Sequence, residues 1–251
     1  MKNSQSLLKT ILTLFVLPGI ILFSGCKKNS ATPDAGTSPK IAFGIKSDNF
    51  TTNLTAVGPK QTVGIFAVSA ITWTSGVANV SKFKFEAKKA NFKMEIETTQ
   101  LLNVDLFSLT PALTGASIDT GTYKEIEVKV MFTKSATAAI PLTLKGTYTP
   151  ASGTAVPVEL YVNDELTIKV EAENVVIDNT KNVQSMISLH LNEFLTGINS
   201  AALDLATKTD GKIVISSSSN IDLYNKIKFN VSNSGYSKME KRRRVKKQDN
   251  F

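Results

Sequence analysis

The chain has 251 residues, 42% of them apolar and 20% charged, with one histidine, one cysteine, one tryptophan and a formal net charge of +8. That is enough apolar material for a core in one large domain or two small ones. A single histidine and a single cysteine exclude zinc sites built from those ligands, and they leave Ser-His-Asp or Cys-His catalysis only if His190 is the base.

The N-terminus carries Lys2 and Lys9, then an apolar run from Ile11 to Phe23, then Ser24-Gly25-Cys26. This order of charge, apolar core and small residues is that of a secretory signal. A transmembrane helix is the rival reading, but the run is shorter than the roughly 20 residues a span needs, and Pro18-Gly19 interrupts it. The segment Leu22-Phe23-Ser24-Gly25-Cys26 resembles the lipobox of bacterial lipoprotein precursors, with Phe23 where Leu is more usual. The resemblance implies a diacylglyceryl thioether on Cys26 and removal of residues 1–25. Each acyl methylene buried adds about 0.8 kcal/mol, so two or three chains anchor the protein for good. As the sole cysteine, Cys26 leaves no partner for a disulfide within the chain.

Residues 26–40 continue as KKNSATPDAGTSPK after the cysteine, a Ser/Thr/Pro/Gly tether with no apolar period and a reach of roughly 20 Å as a coil. In the lipoproteins that this start resembles, Asp directly after the cysteine retains the protein in the inner membrane. Lys27 stands there, which points to the outer membrane, on either its periplasmic or its surface face.

Period-two alternation then dominates. It marks strands at Lys82–Glu86, Phe92–Glu97, Ile126–Val130, Leu142–Leu144, Val158–Val162, Leu166–Glu171 and Ile187–Leu191, with two more between Ile41 and Ile71. Turn signals fall at Thr74-Ser75-Gly76, Asp119-Thr120-Gly121, Pro150–Gly153 and Asn163-Asp164. Without strand-helix alternation, the expectation is a mainly β fold: an antiparallel β-sandwich of immunoglobulin or transthyretin type over residues 41–236. Short helices are expected near 193–207, capped by Ser200, and near 220–231, capped by Asn220. Lys212–Ile215 adds a strand between them.

Residues 237–251 hold seven basic residues from Lys238 onward, including all three arginines, Arg242, Arg243 and Arg244. The run suggests nucleic-acid binding in isolation, but an exported chain meets no nucleic acid, so a disordered tail is expected, solvated or touching anionic lipid.

Leu101–Leu106 followed by Gly121-Thr122-Tyr123 and a long strand resembles uncharacterised Gram-negative envelope lipoproteins with a β-sandwich domain of unknown function, over roughly Val77 to Asp178. The resemblance implies fold and location and transfers no catalytic residue. By conformation, Gly121 suits a turn with positive φ, and Tyr123 suits a buried ring whose hydroxyl meets backbone.

Candidate chemistry is sparse. Glu95 and Glu97, Glu125 and Glu127, and Glu171 and Glu173 each sit two apart, which puts both carboxylates of a pair on one strand face about 7 Å apart. Interleaved lysines favour an ordinary solvent face. Asp48, Asp164 and Asp178 would make a calcium site only if the fold gathered them. Trp73, Tyr148 and Tyr161 are candidate contacts for a sugar or peptide, with a core role for Trp73 as the competing reading. No cofactor or metal is called for. The expected function is a non-enzymatic binding or structural module for a glycan, peptide or protein. A pilus-like assembly subunit and a carboxylate hydrolase are the alternatives.

Overall fold

A computed structural model describes residues 40–55, 68–90, 92–110, 113–178 and 181–243. The signal, Cys26, the tether up to residue 39 and the tail from residue 244 lie outside the described residues. What is described is mainly β, in three sheets with three short helices.

Sheet A runs β15 (Gly235–Arg243), β12 (Lys181–His190), β1 (Lys40–Asp48), β7 (Thr114–Ser117). Sheet C runs β11 (Leu166–Ile177), β8 (Gly121–Phe132), β4 (Lys82–Lys89), β5 (Phe92–Glu97). Sheet B runs β13 (Lys208–Thr209), β14 (Lys212–Ile215), β10 (Val156–Val162), β9 (Leu142–Thr149), β3 (Ala70–Val80), β2 (Thr51–Asn53), with β6 (Leu101–Asp105) also on β3. Alternation decides which residues face inward. In β4, Phe83, Phe85 and Ala87 are buried while Lys82, Lys84 and Glu86 face out. The β1 ring of Phe43 packs on Phe83 and Phe85, with centroids 6.1 and 5.4 Å apart, so sheets A and C share an apolar core.

Three expectations about the strands differ from the structure. Thr74-Ser75-Gly76 is not a turn but a β-bulge inside β3, where the register with β9 shifts between Trp73 and Ser75. Buried positions change phase across it, from Ile71 and Trp73 to Ala78 and Val80, as an inserted residue requires. Pairing is not wholly antiparallel, because β1 lies parallel to β12 and β10 to β14. The connections between those parallel partners are long stretches of the domain, which local strand-helix counting does not reveal. Finally, residues 235–243, placed largely in a disordered tail, form β15, antiparallel to β12 from Leu189↔Gly235 to Lys181↔Arg243. Backbone pairing with the edge of β12 accounts for this strand.

Gly121 does take a positive φ of 139°, and Tyr123 is buried with its hydroxyl donating to the Asp119 carbonyl at 2.7 Å. Burial, with the nearby Asp119 charge, pushes that phenol up to about 12. Gly146 of β9 is required by contact: a Cβ there would stand 2.3 Å from the Thr72 carbonyl oxygen and 2.8 Å from Trp73 Cα.

The helices are α1 (Leu191–Phe194), α2 (Ser200–Asp204) and α3 (Ile221–Asn233). The cap of α2 is Asn199 rather than Ser200: its side chain accepts from Ala202 N–H at 2.9 Å. Asn220 precedes α3 in the left-handed region and makes no side-chain cap. Its amide instead joins Thr207 N–H, Thr207 C=O and Val214 C=O at 2.8 to 2.9 Å, which locks the β13–β14 hairpin to the start of α3. Leu223, Tyr224, Ile227 and Val231 form the buried face of α3, with Ile221 half out in solvent.

Candidate functional site

Among the described residues, the helical end carries two clefts. Helix α2 separates them. The first, about 410 Å³, opens between α2 and the first turns of α3. Ala202 and Ala206 form its wall, Leu205 (86% exposed) and Ile221 (51%) its apolar lip, and Asn199, Asp222 and Lys226 its polar rim. Lys226 Nζ donates to the Gly197 carbonyl, which fixes one side of the opening.

The second cleft, about 400 Å³, lies between α2 and the β9–β10 hairpin, lined by Tyr148, Pro150, Thr154, Asp204 and Lys208 among others. Tyr148 is itself buried, and its hydroxyl donates to Asp204 Oδ1 at 2.7 Å. Burial, reinforced by that hydrogen bond, pushes the phenol up to about 12, so it stays a neutral donor at ordinary pH. An exposed carboxylate, positioned by the buried Tyr148 hydroxyl, and an exposed lysine thus meet at one opening, a pair able to hydrogen-bond sugar hydroxyls or peptide groups.

The other aromatic candidates do not join it. Trp73 is 2% exposed, and its Nε1 finds no hydrogen-bond partner among the described residues. It is a core residue, with no ring face for a ligand. Tyr161, half-buried, donates to Glu159 Oε2 at 2.7 Å, and Lys212 reaches the other oxygen of Glu159 at 3.1 Å. Burial and the Glu159 partner push Tyr161 up to about 12, while the Tyr161 hydrogen bond and Lys212 outweigh burial to lower Glu159.

The carboxylate pairs lie on the outer face of sheet C. Register places Glu95, Glu86, Glu127 and Glu171 in one row across the four strands, beside a row containing Lys84, Lys129 and Lys169. Glu127, 7% exposed, sits between Lys129 at 2.5 Å and Lys169 at 2.6 Å. Burial raises its pKa, but those two ammonium groups win and hold it at about 2. Glu86 is likewise lowered, chiefly by Lys93 at 2.8 Å. Oxygens of Glu125, Glu127 and Glu171 come within 4.8 Å of one another, a hard-donor set of the kind calcium or magnesium accepts. Yet Lys88 binds Glu125 at 2.8 Å and Lys169 binds Glu171 at 2.5 Å, so a cation would have to displace lysines already in place. The row works as an ion-pair ladder on a sheet face, outside either cleft.

His190 ends β12 opposite Asp48 of β1, with Nδ1 2.5 Å from Asp48 Oδ1 and the Asn49 amide at 3.5 Å. The long-range parallel register makes this pair, and no local spacing announces it. Asp164 instead meets Lys228 at 2.7 Å, so Asp48, Asp164 and Asp178 are not gathered into one oxygen site. Searched against family profiles, curated proteins and solved structures, the chain shows no match.

Proposed function

We propose that this chain is an exported lipoprotein, anchored through acyl groups on Cys26 to the outer membrane, whose body is a non-enzymatic binding module of the immunoglobulin- or transthyretin-like sandwich type. The signal order, the lipobox-like Ser24-Gly25-Cys26 and Lys27 support the anchoring and the location. The shared core of Phe43, Phe83 and Phe85 between two four-stranded sheets supports the sandwich.

One observation carries the binding role: the hairpin cleft where Tyr148 and Asp204 form a hydrogen-bonded floor beside Lys208. Its volume falls in the range of small-molecule sites, about 300–1,000 Å³. The ligand that suits it offers hydroxyls or amides rather than a large apolar surface, which means a glycan or a peptide segment of the envelope. The full chain in mild detergent, screened against envelope glycans and peptides, should give a binder that Lys208→Glu weakens at least tenfold while the fold survives. If no ligand responds to Lys208→Glu or Thr154→Arg, the cleft is not the binding site.

A further inference from the structure

Strand β5 ends sheet C and pairs with β4 alone among the described strands. The bond from Thr98 N–H to the Phe83 carbonyl, 3.0 Å, sets the phase of that pairing. Residues in step with Thr98, namely Ile96, Met94 and Phe92, direct their backbone groups to β4. The N–H and C=O groups of Lys93, Glu95 and Glu97 therefore point away from the sheet. Side chains tell the same story: Phe92 is 52% exposed, and Met94 and Ile96, which should cover core, are only half-buried.

An open edge of this kind accepts another strand, and its sequence selects which one. Laid antiparallel on itself about a two-fold axis through Met94, the segment places Lys93 opposite the partner's Glu95 and Phe92 opposite the partner's Ile96, each pair occurring twice. The Lys93 and Glu95 positions are those with outward backbone groups, so each such pair exchanges both main-chain hydrogen bonds. Met94 meets the partner's Met94 in the close, non-hydrogen-bonded position. Shifting the axis to Glu95 or to Lys93 sets like charges directly opposite, which is destabilising. Within one chain Lys84 holds Glu95 Oε1 at 3.0 Å and Lys93 holds Glu86 at 2.8 Å, so the axis through Met94 brings the partner's Lys93 to the other oxygen of Glu95, the last carboxylate of the row Glu171, Glu127, Glu86 and Glu95, as a shared ion pair.

From this complementarity we infer that β5 docks a second copy of this chain, edge to edge, joining two sheets C into one continuous sheet with its ion-pair ladder extended across the axis. The interface is independent of the clefts beside α2, and its loss leaves them intact.

The test uses the full chain in mild detergent. Met94→Cys should oxidise to a disulfide-linked dimer, because Cα atoms opposite each other at a non-hydrogen-bonded position lie about 4.5 Å apart, within disulfide reach. Glu97→Cys is the control, since its mate across the axis stands roughly 20 Å away. The unaltered chain, in which Cys26 is the sole cysteine, is the blank. By sedimentation, the wild type should have twice the monomer mass, Glu95→Lys should reduce it to monomer, and Lys93→Glu with Glu95→Lys should restore the dimer. A monomeric wild type overturns the inference. So does a dimer that survives Glu95→Lys, or one that Glu97→Cys traps as well as Met94→Cys.

Discussion

Replacing Glu127 by Gln removes one charge from between Lys129 and Lys169 while keeping the side chain's shape. In the folded protein this carboxyl is held at about 2 against an ordinary 4.5. At about 1.4 kcal/mol per unit, that difference corresponds to an upper bound of about 3 kcal/mol, because the carboxylate is 9% exposed but its partners Lys129 and Lys169 are 29% and 49% exposed and are screened by solvent and salt. The folded pKa is depressed, so the stabilisation is complete above about 4.5 and is lost as pH falls towards 2. The assay is urea unfolding followed by the fluorescence of Trp73, the sole tryptophan and a buried one. Wild type should exceed Glu127→Gln by roughly 1–3 kcal/mol at pH 7, and the two should converge near pH 2. A gap that is the same at both pH values, or absent at pH 7, would refute the assignment of Glu127 as the charged centre of the ladder.

Trp73→Ala should cost about 3–5 kcal/mol as a core truncation, and Trp73→Phe clearly less, because it also removes an indole N–H that has no acceptor among the described residues; denaturant midpoints of the two variants check the order. Asn199→Ala should cost about 1 kcal/mol through loss of the α2 cap, read as a lower melting temperature, and should release less than that from the sheets far from α2 by hydrogen exchange. Gly146→Ala should destabilise by about 1–3 kcal/mol, because its Cβ meets β3 backbone rather than a side chain that can swing aside; equal stability to wild type in thermal unfolding would contradict that contact.

The sequence made the strands legible where alternation is uninterrupted, as in Lys82–Glu86 and Val158–Val162, because period two is a local property of a half-buried strand. It misled at Thr74-Ser75-Gly76, since a bulge and a turn draw on the same small residues, and only the continuing pairing with β9 separates them. The same limit hid Asn199 behind Ser200: adjacent residues both suit an N-cap, and the choice depends on which backbone angle the chain takes entering α2.

The site was less legible than the strands. Tyr148 stood out as a candidate, but Asp204 and Lys208, which give its cleft a polar character, come from a segment more than fifty residues later. The glutamate spacings were visible, yet their alignment into one row, and the lysines that occupy them, follow from inter-strand register. The Asp48–His190 pair likewise arises from strands that are far apart in sequence. Charge hid β15 most effectively, for a run such as Lys241 to Arg243 looks solvated until the free edge of β12 is known.

The proposed attachment through Cys26 is tested most directly by intact-mass spectrometry of the native N-terminal peptide. A peptide beginning at Cys26 and carrying a diacylglyceryl thioether is the expected result. A peptide that keeps Met1, or a Cys26 that reacts freely with a thiol reagent, would contradict it.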